Sequence, residues 1–125
     1  MIDHLGIQAT DMTAAAAFYD HVLGVLGHRR VMDFREAIGY GSEQPQFWIS
    51  KRPADAAAHH DHEAHIAFAA PDRASVDRFF ASATEQGAEV LHEPRLWPEY
   101  HQNYYGAFVR DPDGNNVEAV CHKPE

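Results

Sequence analysis

A chain of 125 residues is long enough to bury one real core and too short for two independent domains. With 45% hydrophobic and 23% charged residues it has an ordinary globular composition, and no apolar run approaches the roughly 20 residues of a membrane span, so no membrane role is expected. Its net charge of −9 excludes a phosphate-backbone partner, since nucleic-acid binding needs a basic footprint.

The start, Met1-Ile-Asp-His-Leu-Gly6, has no basic segment followed by an apolar one, and a single cysteine, Cys121, excludes an intrachain disulfide framework. The expected location is a bacterial-type cytoplasm. No helix N-terminus or local base is evident beside Cys121, so it reads as a small strand residue and not as a nucleophile.

In chain order, alternation over Ile2–Ala9 predicts a strand with His4, Gly6 and Gln8 on one face. Asp11 or Thr13 caps a helix over Ala14–Leu23, with Phe18 and Val22 on its apolar stripe and Gly24 as terminator. Three short extended pieces follow, near Arg29–Phe34, Ala37–Tyr40 and Gln46–Ser50. From Lys51 to His62 the composition shifts to Pro, Ala, Asp and His without a period, which marks a surface connector. Within it, His59-His60-Asp61-His62-Glu63 reads as a solvated run that will scavenge metal, not as a functional site.

The pattern then restarts. His65–Ala70 is a strand, Asp72 a cap, and Ala74–Gln86 a helix with Val76, Phe79, Phe80 and Ala83 buried before Gly87. Glu89–His92 is extended, Pro94–Asn103 is a Pro-rich aromatic loop, and Tyr104–Val109 and Asn116–Cys121 form a hairpin closed by Asp111-Pro-Asp-Gly114. The two halves coincide at one offset of 61 residues: His4 matches His65, Asp11 matches Asp72, and Phe18-Tyr19 matches Phe79-Phe80. An α+β fold follows, with two βαβββ modules forming a curved, mostly antiparallel sheet surface, helices outside and a concave cleft inside. Module one covers about 1–51, the connector about 52–62 and module two about 63–122.

Glu118 is the anomaly of the second hairpin strand, a lone carboxylate flanked by apolar residues where its charge is costly unless compensated. His4 and His65 hold equivalent positions on the first strands of the two modules. All three pointing into one cleft would make a two-imidazole, one-carboxylate site for a divalent cation, with positions left open for water or substrate. Around the Pro-rich loop, His92, Tyr100, His101, Tyr104 and Tyr105 are available to face that cleft. His101 and Tyr104 are the candidate catalytic pair by position, with loop packing as the alternative role.

Ile2-Asp-His-Leu5, Phe18-Tyr19-x-x-Val22-Leu23-Gly24, His65-Ile-Ala-Phe68 and Asp111-Pro-Asp-Gly-Asn-x-x-Glu118 resemble the vicinal oxygen chelate superfamily across essentially the whole chain. That superfamily holds glyoxalases, fosfomycin-resistance enzymes, extradiol dioxygenases, an epimerase and bleomycin-resistance proteins. The resemblance implies one divalent metal (Fe, Mn, Ni or Zn) on the residues matching His4, His65 and Glu118, and a small-molecule substrate chelating through two neighbouring oxygens. It also implies a homodimer, whose modules pair within one chain or across two.

By module symmetry the partner of Glu118 falls near Trp48, which cannot ligate, so the four-ligand pattern of glyoxalase I is incomplete. Gln46 is the alternative donor there. The implied function is a metal-dependent, glyoxalase-like Lewis-acid isomerase, lyase or transferase, or an Fe(II) dioxygenase. The competing expectation is a metal-independent ligand-sequestering protein of the bleomycin-resistance type.

Overall fold

A computed structural model describes residues 1–54 and 64–125. The His59–Glu63 run and most of the expected connector therefore lie outside the described residues. Module one comprises β1 (Leu5–Ala9), α1 (Met12–Val25), β2 (Arg29–Asp33), β3 (Ala37–Gly41) and β4 (Phe47–Lys51). Module two comprises β5 (His65–Ala69), α2 (Arg73–Glu85), β6 (Val90–Leu96), β7 (Tyr105–Arg110) and β8 (Asn116–Cys121).

Each module keeps its own mixed four-stranded sheet, ordered β1-β4-β3-β2 and β5-β8-β7-β6. In both, the first pair (β1/β4, β5/β8) is parallel and the other pairs are antiparallel. The registers show the internal repeat residue by residue: Gly6 lies opposite Trp48, and Ala67, its counterpart, lies opposite Glu118. Trp48 is thus the topological equivalent of Glu118.

Capping follows from the sequence. The Asp11 carboxylate accepts from Ala14 N at 3.1 Å, and the Asp72 carboxylate accepts from Ser75 N at 2.7 Å. The first helix does not stop at Gly24. It runs on to Val25, and the turn is made at Gly27, whose φ of 91° is open to glycine at little cost. Strand β6 also outlasts its expected end, continuing through Pro94 to Leu96. Proline is tolerated there because β6 is an edge strand and its register already breaks on either side of His92.

α1 and α2 pack against each other, and one core joins Phe18, Tyr19, Val22 and Leu23 to Val76, Phe79, Val109 and Val117. Edge-to-face contact between Phe47 and Phe68, with ring centroids 5.1 Å apart, carries that core across the module boundary. A polar latch crosses it too. Buried Tyr19 on α1 donates its hydroxyl to Asp111 at 2.6 Å, and Thr10 N donates to Asp113 at 2.9 Å. No helix among the described residues is long and apolar enough to cross a membrane.

Burial, then the charge and hydrogen bond of Asp111, hold the Tyr19 phenol well above its usual range. Burial and a bond to Asp77 push Tyr105 up to about 12. A folded-state value raised above the unfolded one stabilises at pH below the unfolded value, about 10, and that stabilisation fades as pH rises beyond it. The urea midpoint is expected to fall steeply above about pH 10, and less steeply in Tyr19→Phe; equal slopes in the two proteins would contradict the assignment to Tyr19.

Candidate functional site

Strand β8 is covered on one side by α2, so Val117, Ala119 and Cys121 enter the core while Asn116, Glu118 and Val120 take the other face. Glu118 is only 1% exposed there. Its cross-strand neighbours are Ala67 on β5 and Phe108 on β7. Apolar surroundings make an ionised carboxylate expensive, and the compensation visible within the chain is short: His65 Nε2 lies 2.8 Å from Glu118 Oε2, and the Tyr104 hydroxyl donates to Oε1. Burial and the neighbouring Glu118 raise the Tyr104 phenol's pKa, so it stays protonated and keeps donating through the neutral range.

The backbone makes room for this contact. A Cβ at Gly106 would sit 3.2 Å from Glu118 Oε1 and 3.3 Å from Tyr104 Cε1, tighter than either group accommodates in place. Gly106→Ala is expected to displace the Tyr104–Glu118 bond and to cost about 1–3 kcal/mol by overpacking. An unchanged urea midpoint would show that the crowding is relieved elsewhere.

Beside the carboxylate stands an aromatic wall. His65 meets Phe108 with centroids 5.8 Å apart, and His92 packs edge-on to both Trp97 and Phe108 at 4.9 and 5.5 Å. Trp97 donates its indole N–H to Gly106 O at 3.0 Å and carries the Arg95 guanidinium over its ring. The Tyr104 ring lies against Tyr100, His101 and His122 at 4.9, 5.6 and 5.1 Å. His101 touches Tyr104 and His122 and has no bond to Glu118.

His4 is not brought to this group within the chain. β1 begins at Leu5, whose N–H bonds Gln46 O at 2.9 Å, so His4 falls outside the ladder and turns its exposed ring to Asp3 at 2.6 Å. Among the described residues no three His, Cys, Asp or Glu side chains converge on a possible metal position. Among the described residues, His65 and Glu118 come together and His4 stands apart from them. At the equivalent place in module one, Trp48 lies parallel to Phe34 with centroids 6.3 Å apart, over Gly39, where a Cβ would come within 2.9 Å of the indole. This apolar shelf stands where a fourth ligand would be.

His122 escaped the sequence reading. It follows β8 in the polar tail His122-Lys-Pro-Glu125, where neither period nor motif distinguishes it.

Residues 1–119 match the sequence pattern of the glyoxalase/bleomycin resistance protein/dioxygenase superfamily. The chain belongs to this superfamily. Its relatives within and around the superfamily include the Bacillus subtilis (strain 168) protein YqjT, 25% identical over 94% of this chain and 96% of the relative. A glyoxalase/bleomycin resistance protein from Albidiferax ferrireducens T118 has a similar crystal structure, with a TM-score of 0.81 and 28% identity over 97% of each chain. So has a lactoylglutathione lyase from Agrobacterium tumefaciens, with a TM-score of 0.68 and 26% identity over 97% of this chain and 92% of that one. Superfamily proteins often bind a divalent metal and a small molecule and commonly form dimers. The donors present suit such an ion: one imidazole nitrogen and one carboxylate oxygen 2.8 Å apart on adjacent parallel strands.

Proposed function

We propose that the chain is a small metal-dependent enzyme of this superfamily, acting on a small substrate that carries two adjacent oxygens. The observation that carries the reading is Glu118, a carboxylate 1% exposed on the open face of its sheet, with an imidazole on one oxygen and a phenol on the other. A buried carboxylate needs a cationic counterpart, and a divalent ion held by His65 and Glu118 would supply it. His4 is proposed as the third ligand, contributed by the other copy of a homodimer, because one chain does not bring it to the pair.

The ion would act as a Lewis acid toward the substrate's paired oxygens. The chain's own residues do the rest. Tyr104, held protonated, orients Glu118 and is the nearest proton donor to the site. His101, behind the Tyr104 ring, is the second candidate for proton transfer. Phe108, opposite Glu118 on β7 and packed by His92 and Trp97, covers one side of the carboxylate. Isomerase, lyase, transferase and dioxygenase chemistry all fit this arrangement.

A second reading is favoured by the Trp48–Phe34 pair, an apolar shelf with Phe34 68% exposed: metal-independent capture of a flat ligand, as in a bleomycin-resistance-type binder. 4-Nitrocatechol separates the two, since its vicinal oxygens report chelation as a shift in its visible absorbance. The enzyme reading expects a shifted, saturable spectrum with Mn- or Fe-loaded protein and no binding to metal-free protein. Equal binding in both states would replace it with the sequestering reading.

A further inference from the structure

Outside the proposed ligands, a pair of hydrogen-bonded imidazoles joins the loop before β7 to the end of β8. Asn103 N, which can only donate, lies 3.1 Å from His101 Nδ1. That contact requires a lone pair on Nδ1 and so places the neutral ring's proton on Nε2. His101 Nε2 then donates to His122 Nδ1, 2.9 Å away, and the two imidazoles lie nearly parallel, with centroids 5.1 Å apart. The chain of donors has one direction, from loop backbone to His101 to His122. His122 stands just beyond β8, the strand that holds Glu118, and its ring meets that of Tyr104 edge-on at 5.1 Å.

We propose that His122 is a positioning residue: by accepting from His101 it clamps the 97–104 loop to the end of β8 and so fixes the Tyr104 hydroxyl on Glu118. Without the clamp, Tyr104 keeps only its contacts within its own loop, to Tyr100 and His101, and its bond to the carboxylate. The loop is otherwise tied by backbone bonds among its own residues, Tyr100 N and His101 N to Trp97 O, Tyr104 N to His101 O and Trp97 N to Tyr104 O, by the Trp97 indole on Gly106 O, and by the β7–β8 ladder that starts at Tyr105 opposite Cys121. Among the described residues, the His101–His122 bond is the side-chain link between this loop and the end of β8 besides the Tyr104–Glu118 bond itself. The effect on the site is indirect, through a donor that orients a proposed metal ligand, and such partners commonly change metal affinity by 10–100-fold.

The functional meaning rests on Glu118 being a working group of the site, as proposed above; the positioning is tested apart from it. A phenol proton held on a buried carboxylate exchanges slowly and gives a downfield proton NMR signal, which Tyr104→Phe identifies by removing it. His122→Ala and His101→Ala are each expected to lose or strongly broaden that signal while the rest of the spectrum stays folded. His122→Asn should restore it, because its amide oxygen falls about where Nδ1 accepts. Mn(II) affinity, measured by calorimetry, should fall about tenfold in His122→Ala and recover in His122→Asn.

A Tyr104 signal unchanged in both alanine variants overturns the proposal, as does the absence of any such signal in the wild type. Loss of the signal in His122→Asn as well as His122→Ala also overturns it, by showing that the accepted bond is not what matters. If the signal behaves as expected but neither wild type nor variant binds Mn(II), the clamp stands and the metal reading fails.

Discussion

Asp111→Ala is expected to lower the unfolding free energy by about 3 kcal/mol or more. Asp111 is 5% exposed and accepts four hydrogen bonds: from Tyr19 OH at 2.6 Å, Asp113 N at 2.9 Å, and Asn115 N and Nδ2 at 2.8 Å each. Removing it strands the hydroxyl of a tyrosine with no exposed surface and leaves the β7–β8 turn without its side-chain acceptor. Each buried group left unpaired costs about 1–3 kcal/mol. Because Tyr19 belongs to module one and Asp111 to module two, the loss also loosens the junction between them. Urea denaturation measures the effect, and a midpoint shift below that expected for about 1 kcal/mol would show that water replaces the carboxylate.

Glu118→Gln is expected to act in the opposite sense on stability and to have its large effect on binding. The amide preserves shape and removes a buried charge, so the folded state should hold or gain slightly. A neutral amide oxygen is a far poorer donor to a divalent cation than a carboxylate, and Mn(II) or Ni(II) affinity should fall at least about 100-fold. Calorimetry on protein in which His59, His60 and His62 are replaced by alanine reads the site without the scavenging run. Affinity within threefold of the parent would remove Glu118 from the ligand set.

Much of the fold is legible in the sequence because its signals are local. The caps at Asp11 and Asp72, the Asp111–Gly114 turn and the 61-residue repeat each announce an element without tertiary information, and together they give both βαβββ modules. Glu118 is legible for a related reason: a carboxylate on the alternation of an apolar strand demands a partner. The Trp48 equivalence follows from the same repeat and is borne out by the strand registers. What the sequence hides is long-range or marginal. Tyr19 and Asp111 are 92 residues apart, and nothing near either names the other. His4 differs from a ladder residue by one position, a boundary that alternation does not resolve. His122 matters through a tertiary contact to His101, and its polar tail resembles any frayed terminus. Pro94 looks like a strand breaker, yet it sits on an edge strand inside the register break between His92 and Arg95, where it has no ladder partner.

On the proposed function, His65 and Glu118, completed by His4 of a second copy, hold one divalent ion. Elemental analysis of metal per chain tests it most directly, on untagged protein prepared under nitrogen with His59, His60 and His62 replaced, beside the same protein carrying His4→Ala or His65→Ala. Close to one equivalent of metal per chain is expected in the parent, with its loss in both variants. A parent that holds no more metal than either variant would contradict it.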